Sequence, residues 1–240
     1  MFNIQHLDWD SNFLGYKVAK IITDVTDELE LIEEFEKLKK ENYKLVTIHS
    51  SKKIDIFSKI KKKYNIFFDT KLTFIKNLVT KNIKKFDVDL KPHFYDRSIA
   101  CNQLVSLAVE SSSFSRFRRD MNFKRDVCDA LFENWIKSSV KDYKTSKVVI
   151  VEDKKMILGM AAFHLDLSSG GIIDLISTHN KYRGKGIGRS LLSFCENYFL
   201  SENVNIAKVS TQKVNLSACN FYKSCGYKIG KIENIVHLWL

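Results

Sequence analysis

The sequence lacks long hydrophobic runs and closely spaced cysteine pairs. No apolar stretch approaches the roughly eighteen residues that a membrane-spanning helix requires, and the first residues lack the basic and apolar pattern of a secretion signal. The five cysteines are odd in number and include no Cys-x-x-Cys pair, which argues against a disulfide framework or a zinc site. We therefore expect reduced thiols, no bound metal, no membrane insertion and a cytoplasmic location.

Patterns typical of nucleic-acid binding are also missing, although the chain is strongly basic. The formal net charge is +11 at pH 7, yet much of it lies in lysine runs such as Lys61–Lys63 and Lys84–Lys85, which are typical of solvated faces. The sequence contains no aromatic-basic ribonucleoprotein pattern and no zinc-finger spacing. The charge therefore favours small polyanions over nucleic acid as ligands. A hydrophobic content of 45% indicates a globular chain with a substantial core.

The first third of the chain reads as a small α/β unit that ends before the single proline, Pro92. Periodicity is lost over Asn77–Val88, and a residue that precedes proline avoids helical geometry. A linker near residues 80–92 is therefore expected, with one domain over residues 1–85 and a second over 86–240. Apolar spacing in the first domain predicts strands over Tyr16–Ile22, Leu45–His49 and Phe67–Ile75, and helices over Asp27–Lys40 and Ile54–Lys63.

The second domain is expected to combine helices and strands with an arginine-rich loop. Ser111–Asn122 reads as this loop and holds three arginines and four serines. Guanidinium groups bind diphosphates through two parallel hydrogen bonds, so Arg116, Arg118 and Arg119 are candidates for such a ligand. Helices are predicted over Ile99–Val109, Phe123–Val140 and Leu216–Ser224, and strands over Lys147–Glu152, Met156–Leu165, Gly170–Thr178, Ile206–Thr211, Tyr227–Ile229 and Val236–Leu240.

A glycine-rich turn, Arg183-Gly184-Lys185-Gly186-Ile187-Gly188, follows the strand Gly170–Thr178. An amphipathic segment with Ile187, Leu191 and Cys195 at helical spacing comes directly after it. Such a strand, turn and helix direct several backbone N–H groups to one point at the positive end of the helix dipole, which suits a phosphate. No Gly-Lys-Ser/Thr closes the turn, and no acidic residue ends a following strand, which argues against Walker and dinucleotide-binding loops.

A second motif lies near the end of the sequence, where Asn215 is a good helix N-cap and Tyr222 lies two turns further along the same face. The Arg-x-x-Gly-x-Gly turn and this Asn-x-x-Ala-x-x-x-Tyr segment resemble the acetyl-CoA-binding elements of the GNAT acetyltransferase superfamily. The order of predicted elements agrees with that family. The resemblance implies an α/β (α+β) GNAT fold with a mixed central sheet, preceded by a smaller, truncated GNAT-like α/β domain. It also implies an acetyl-CoA-dependent N-acetyltransferase.

The resemblance gives a role to each residue of these motifs. Tyr222 is implied to stand beside the thioester sulfur as the general acid. Attack on a thioester expels a thiolate, and a positioned general acid typically contributes about 10²–10⁴-fold in rate. Main-chain groups at the end of the preceding strand are implied to pair with pantetheine. The residues implied to bind acetyl-CoA are Leu175, Ile176, Ser177, Arg183, Gly184, Lys185, Gly186, Ile187, Gly188, Arg189, Asn215 and Asn220.

Three further stretches, Leu7–Gly15, Phe114–Ser139 and Ser210–Leu240, resemble the dTDP-fucosamine acetyltransferases within this superfamily. The implied reaction is N-acetylation of a dTDP-4-amino-4,6-dideoxyhexose for surface polysaccharide or O-antigen synthesis. A homodimer is compatible with this assignment. Two departures are that Thr178-His179-Asn180 lacks the usual proline, and that Lys213-Val214 replaces a glycine-containing pair. The residues expected to bind the nucleotide sugar are Ser115, Arg116, Arg118 and His164.

The general base and the acceptor stay open at this point. His164 and Asp166 share one face of their predicted strand, because side chains two residues apart point the same way, and either is placed to relay a proton from the amine. The sequence contains no recognisable Ser/His/Asp or metal-ligand pattern. Two alternatives to the sugar reaction remain. One is acetylation of a protein N-terminus or a small amine such as an antibiotic, and the other is a non-catalytic CoA-binding module.

Overall fold

The computed structural model describes residues 2–24, 28–52, 58–79, 91–166 and 168–240. The chain separates into two compact units. Residues 1–72, 212–214 and 231–240 form unit 1, and residues 73–211 and 215–230 form unit 2. Residues 80–90 lie outside the described residues, and they include most of the linker predicted near residues 80–92 and the predicted domain boundary after residue 85. That division of the chain therefore stays a prediction.

Unit 1 is a mixed sheet with the order β1-β2-β3-β10-β4, in which β2 and β3 are parallel. Helix α2 buries the predicted face of Leu31, Phe35 and Leu38 against strand residues such as Ile21 and Val46. Residues 54–57 of the predicted second helix lie outside the described residues. The elements are β1 (Asn3–His6), α1 (Asp8–Leu14), β2 (Lys17–Ile22), α2 (Glu28–Lys40), β3 (Tyr43–Ser50), α3 (Ser58–Lys63), the first part of β4 (Asn65–Asn77) and the last part of β10 (Lys228–Trp239).

Unit 2 contains a mixed sheet with the order β4-β9-β8-β7-β6-β5, in which β8 and β9 are parallel and β5 to β8 are antiparallel. The mixed sheet and the order of helices and strands confirm the predicted fold class. Besides parts of β4 and β10, its elements are β5 (His93–Phe94), α4 (Asn102–Ser111), α5 (Arg116–Arg119), α6 (Arg125–Lys141), β6 (Ser146–Asp153), β7 (Met156–Asp166), β8 (Gly170–Thr178), α7 (Ile187–Ser201), β9 (Ile206–Gln212) and α8 (Leu216–Ser224).

Two glycines bring α7 close to the sheet of unit 2. A Cβ added to Gly171 would lie 2.4 Å from ring atoms of Phe199, and one added to Gly159 would lie 2.8 Å from Cγ2 of Ile187. Both distances are shorter than a side chain can tolerate, so larger residues would push the helix outward. Close packing of α7 fixes its first turn at the end of β8, where the glycine-rich turn joins the two elements.

Two predicted elements differ from the structure. Ser111–Asn122 is mostly helical and not a loop, with a 3₁₀ turn over Ser112–Phe114 followed by α5. The Ser115 hydroxyl accepts a hydrogen bond from the Arg118 N–H at 3.2 Å, which caps α5.

The C-terminal part of the chain forms one strand, β10, where the sequence predicts a separate closing pair. Gly230 lies within this strand, and a Cβ there would lie 2.2 Å from Cδ1 of Ile75. The glycine therefore permits close packing on β4 and does not break the strand. The short elements β1, α1 and β5 are not predicted from the sequence.

Candidate active site

Strands β8 and β9 part in the middle of unit 2. They pair from Gly171 to Ile173 against Ala207 to Val209, whereas β8 continues to Thr178 and stays paired with β7 along its other edge. Beyond Ile173 the edge of β8 that faces β9 borders a cleft. The main chain of the predicted residues Leu175, Ile176 and Ser177 lies along this edge.

The glycine-rich turn lies at the open end of this cleft. Gly184 and Gly186 adopt φ angles of 78° and 81°, a region in which a Cβ is strained. Helix α7 begins at Ile187, and no side chain in the described part of the chain caps its first turn. The first N–H groups of α7 are therefore available to an anion at the positive end of the helix dipole.

Helix α8 contributes Asn215 and Tyr222 to the cleft. The Asn215 side chain accepts a hydrogen bond from the Ala218 N–H at 3.2 Å, which confirms the predicted N-cap. The Tyr222 side chain is only 4% exposed, and its ring centroid lies 5.4 Å from that of Phe74. Burial raises the pKa of the Tyr222 phenol well above its usual value, because the desolvated phenolate is disfavoured. The hydroxyl is therefore protonated at neutral pH.

These elements enclose a cavity of about 510 Å³, which we call the cleft cavity. Three of the residues predicted to bind acetyl-CoA are not among its lining residues: the Leu175 side chain is buried, Asn220 is exposed on α8, and the Lys185 ammonium lies 5.0 Å from the centre of the Tyr182 ring. The predicted residues that do line it are Ile176, Ser177, Arg183, Gly184, Gly186, Ile187, Gly188, Arg189, Asn215 and Tyr222.

One wall of the cleft cavity comes from α4 and the turn after it, a contribution that the sequence reasoning missed. Glu110, Ser113 and Phe114 line this wall. The Glu110 carboxylate accepts a hydrogen bond of 2.7 Å from the Arg183 guanidinium, whose Nε also donates to the Thr178 carbonyl at 3.2 Å. A carboxylate thus holds the first arginine of the glycine-rich turn.

The arginines predicted to bind the sugar nucleotide lie outside the residues that line the cleft cavity. Arg118 donates hydrogen bonds to the Ser112 hydroxyl and to the Asp129 carboxylate, and its side chain is mostly buried. The Arg116 guanidinium lies 4.4 Å from the centre of the Phe117 ring. Ser115 uses its hydroxyl to cap α5. The three residues come one, two and four positions after Phe114 in the chain, and their assignment to a ligand stays a prediction.

The two strand residues proposed as proton relays have different partners. His164 Nδ1 lies 2.7 Å from the Asp174 carboxylate, and the pair lines a second cavity. Asp166 accepts hydrogen bonds from the hydroxyls of Ser168 and Ser169, which lower its pKa to about 2. Asp166 is therefore a turn-stabilising carboxylate with weak basicity.

Asp174 was missed by the sequence reasoning. Its signal was a single acidic residue inside the otherwise uncharged strand β8. The pairing of β7 with β8 shifts between Ala162, which faces Leu175, and Phe163, which faces Ile173. Asp174 is the extra residue of this β-bulge, a feature that redirects side chains and often stands next to active sites.

Comparison with family models gives a match over the same part of the chain. Residues 110–227, from Glu110 to Tyr227, match the model of the acetyltransferase (GNAT) family. This part of the chain, just under half of its length, is therefore similar to a GNAT acetyltransferase domain. The match includes the glycine-rich turn, Asn215 and Tyr222, so the resemblance noted in the sequence is confirmed at the level of the superfamily.

Two curated proteins share sequence similarity with this chain. Streptothricin acetyltransferase of Escherichia coli is 37% identical over 68 residues, which is 28% of this chain and 37% of the relative. The spore coat polysaccharide biosynthesis protein SpsD of Bacillus subtilis is 21% identical over 161 residues, 62% of this chain and 55% of the relative. The chain therefore spans about a third to a half of the length of these relatives.

Several solved structures share the fold of this chain over most of its length. A functionally unknown conserved protein of Staphylococcus epidermidis superposes with a TM-score of 0.69 at 12% identity, covering 92% of this chain and 84% of its own. A GCN5-related N-acetyltransferase of Sphaerobacter thermophilus has a TM-score of 0.54 at 14% identity, and the superposition covers 98% of this chain and 75% of the other. A tandem GNAT protein of the clavulanic acid biosynthesis pathway has a TM-score of 0.56 at 9% identity, and the superposition covers 92% of this chain and 74% of the other.

None of the described helices is both long and apolar enough to cross a membrane. Within the same residues, no group of three or more histidines, cysteines or carboxylates is arranged to hold a metal ion.

Proposed function

We propose that this chain transfers an acetyl group from acetyl-CoA to the amino group of a nucleotide-linked amino-dideoxy sugar. The observation that carries the proposal is the convergence of the β8 edge, the glycine-rich turn and Tyr222 on one cavity. An extended thioester with phosphates at one end and a reactive carbonyl at the other needs three features in that order: an anion site, a main-chain edge and a proton donor.

The residues of the cleft cavity fit acetyl-CoA. The N–H groups of the turn at Gly184–Gly188 suit a pyrophosphate, and the main chain of Leu175–Ser177 offers hydrogen-bonding groups to the pantetheine amides. Gly188 also lines the cleft cavity. Bound acetyl-CoA supplies an acyl group activated by a thiolate leaving group.

Tyr222 is the proposed general acid. Its phenol lines the cleft cavity and is held by packing against Phe74 and Phe221. Because burial raises the pKa of the phenol, the hydroxyl holds its proton until a thiolate begins to leave. Proton donation at that moment stabilises the transition state more than the ground state, which is what raises kcat.

The nucleotide-sugar acceptor is supported by the arginine-bearing segment and by one relative. Arg116 comes two residues after Phe114, which lines the cleft cavity, and a guanidinium matches the oxygens of a diphosphate. The match to SpsD, a polysaccharide biosynthesis protein, extends over 62% of this chain. A role in surface polysaccharide synthesis follows if the acceptor is such a sugar. The cytoplasmic location and the homodimer expected from the sequence stay predictions.

A second candidate function is acetylation of a small amine antibiotic. The observation in its favour is the higher local identity, 37% over 68 residues, to streptothricin acetyltransferase. That match covers less than a third of the chain, so we rank this candidate second.

A thiol-release assay separates the candidates. The chain is mixed with acetyl-CoA and, in parallel, with dTDP-4-amino-4,6-dideoxygalactose, a UDP-amino sugar, streptothricin and a peptide with a free N-terminus. The proposal predicts the highest kcat/KM with a nucleotide amino sugar. Preference for streptothricin would support the second candidate, and thiol release with none of the amines would contradict both.

A further inference from the structure

A second cavity of about 530 Å³ lies in unit 2, and we call it the α6 cavity. It is lined by Trp135 and Ser138 of α6, by Thr145 in the loop after α6, and by the His164–Asp174 pair. Its walls therefore offer an aromatic face, several hydroxyls and a carboxylate paired with an imidazole. The functions assigned to the cleft cavity leave this combination without a role.

The aromatic and hydroxyl groups suit a hydroxylated ring. Trp135 remains 40% exposed, although its ring centroid lies 5.8 Å from that of Phe132. Part of its indole is therefore open to a ligand. The Thr145 hydroxyl already donates to Asp142 at 2.6 Å, which leaves its oxygen lone pairs as acceptors. Apolar ring faces stack on aromatic side chains, while hydroxyls of a ligand exchange hydrogen bonds with serine and threonine.

The His164–Asp174 pair suits an amino group. An ionised carboxylate can only accept hydrogen bonds, so the His164 Nδ1 must carry the hydrogen directed at Asp174 over 2.7 Å. The Nε2 atom of His164 then bears a lone pair and acts as a base. Burial raises the pKa of Asp174, whereas the hydrogen bond from His164 lowers it.

The position of Asp174 links the α6 cavity to the cleft. Asp174 is the first residue of β8 after the last one paired with β9, Ile173. Ile176 lines the cleft cavity and is two residues further on, about 7 Å along the strand. If acetyl-CoA extends along Leu175–Ser177, its reactive end points towards the place where the strands part, which is where Asp174 stands.

Resting on the proposed function, we infer that the α6 cavity is the acceptor pocket for a hydroxylated ring that carries a protonated amine. His164 Nε2 takes one proton from the ammonium: an N–H bond of the amine breaks and an N–H bond to Nε2 forms. The electron pair stays on the amine nitrogen, which is then nucleophilic. The imidazolium is stabilised by Asp174, so Asp174 is a positioning residue and His164 the base.

Occupancy of the cavity is tested with a bulky substitution and calorimetry. Ser138 is exposed on α6 and lines the cavity, so Ser138→Trp fills the space without disturbing the core. Asn134→Trp, one turn earlier on the same helix and not among the lining residues, is the matched control. We expect Ser138→Trp to weaken binding of dTDP-4-amino-4,6-dideoxygalactose at least about 10-fold, because the substitution removes one well-placed set of contacts. The affinity for acetyl-CoA should be unchanged. Equal sugar affinity in Ser138→Trp and Asn134→Trp would overturn the assignment.

Proton transfer is tested with pH profiles of kcat/KM for the amine. His164→Gln should lower the value at pH 7 by about 100-fold, within the range for a general base, and should approach wild type at high pH, where the amine loses its proton unaided. Asp174→Asn should also lower kcat/KM at pH 7, but by a smaller factor than His164→Gln. His93→Gln is the control, because His93 also pairs with a carboxylate, Glu152, at 3.6 Å but lies on the surface. The other titratable groups that line the cavity are Asp142, Lys144, Lys147 and Tyr198, and they are intact in every variant.

The outcomes distinguish this inference from the proposed function. A wild-type protein that fails to bind acetyl-CoA would contradict the proposed function, while sugar calorimetry would still report on the cavity. A wild-type protein that binds acetyl-CoA and acetylates the sugar, with a His164→Gln profile like that of His93→Gln, would overturn the base assignment alone.

Discussion

The Glu110 carboxylate accepts a hydrogen bond of 2.7 Å from the Arg183 guanidinium, which joins the end of α4 to the glycine-rich turn. Both side chains are partly exposed, so the pair contributes little to stability, about 0–1 kcal/mol. Its larger effect is on charge, because Glu110 places a negative group in the wall of a cavity that we assign to a polyanion.

Removing the Glu110 charge should therefore raise the affinity for acetyl-CoA, whereas removing the Arg183 side chain should lower it. Glu110→Gln keeps the shape and removes the repulsive charge, so the dissociation constant should fall by about 2–5-fold at low salt, an effect that high salt screens. Arg183→Ala should weaken binding about 10-fold, since it removes a cation from the phosphate site. Weaker binding in Glu110→Gln would mean that Glu110 acts mainly by orienting Arg183.

The conformation of Gly186 predicts a specific defect. Gly186→Val forces a β-branched residue to a φ of 81°, which costs of order 1–3 kcal/mol, and places a side chain where the turn must approach phosphate. Calorimetry should show acetyl-CoA binding lost while circular dichroism remains that of a folded protein. Gly15→Val is the matched control, because Gly15 has a φ of 74° at the end of α1 and does not line the cleft cavity. It should share the loss of stability and keep acetyl-CoA affinity.

Tyr222→Phe removes only the proposed general acid. The ring and its contact with Phe74 remain, so we expect kcat to fall by about 100-fold with both KM values nearly unchanged, as for an interaction made in the transition state. Tyr227→Phe provides a control, since Tyr227 is equally buried and is not a lining residue. A Tyr222→Phe enzyme that keeps more than about a third of wild-type kcat, measured where chemistry limits turnover, would contradict the role.

The raised pKa of Tyr222 adds a pH test to this variant. A raised pKa keeps the phenol protonated to higher pH, so the wild-type kcat should not decline between pH 7 and about 10, the usual pKa of tyrosine. A decline with a midpoint below 10 that disappears in Tyr222→Phe would show that the phenol ionises in the normal range.

The two arginines around α5 should behave differently. Arg116→Ala is expected to raise the KM of the nucleotide sugar with little change in that of acetyl-CoA. Arg118→Ala should mainly lower stability, because Arg118 is paired with Asp129 and Ser112; a loss of about 1 kcal/mol corresponds to roughly 2–4 °C in Tm for a chain of this size. Thermal melts and sugar kinetics of the two variants check this, and a pure KM effect in Arg118→Ala would contradict it.

The sequence was sufficient for the parts of the site that are local in the chain. Positive φ at Gly184 and Gly186 and the cap at Asn215 depend on neighbouring residues, and these features were predictable from residue type and spacing. Side-chain pairings that depend on tertiary packing could not be predicted from the sequence. Glu110 meets Arg183 across 73 positions, and Asp174 meets His164 only because a β-bulge shifts the register of β7 and β8.

The predicted loop over residues 111–122 was wrong for the same reason, because its conformation depends on contacts that are distant in the sequence. Serine and arginine are typical of loops as well as of short helices, and the choice depends on the cap that Ser115 provides and on the contact of Arg118 with Asp129 of α6. Likewise Gly230 lies inside strand β10, where a Cβ would clash with Ile75 of β4, a neighbour that no local pattern identifies.

Mass spectrometry of the product tests the central claim most directly. The chain is incubated with acetyl-CoA and dTDP-4-amino-4,6-dideoxygalactose, and the nucleotide sugar is fragmented to locate any modification. We predict one added acetyl group on the amine, formed by the wild-type chain, strongly reduced in Tyr222→Phe and absent in Gly186→Val. A folded wild-type chain that binds acetyl-CoA and leaves the amine of the sugar unmodified would contradict the account.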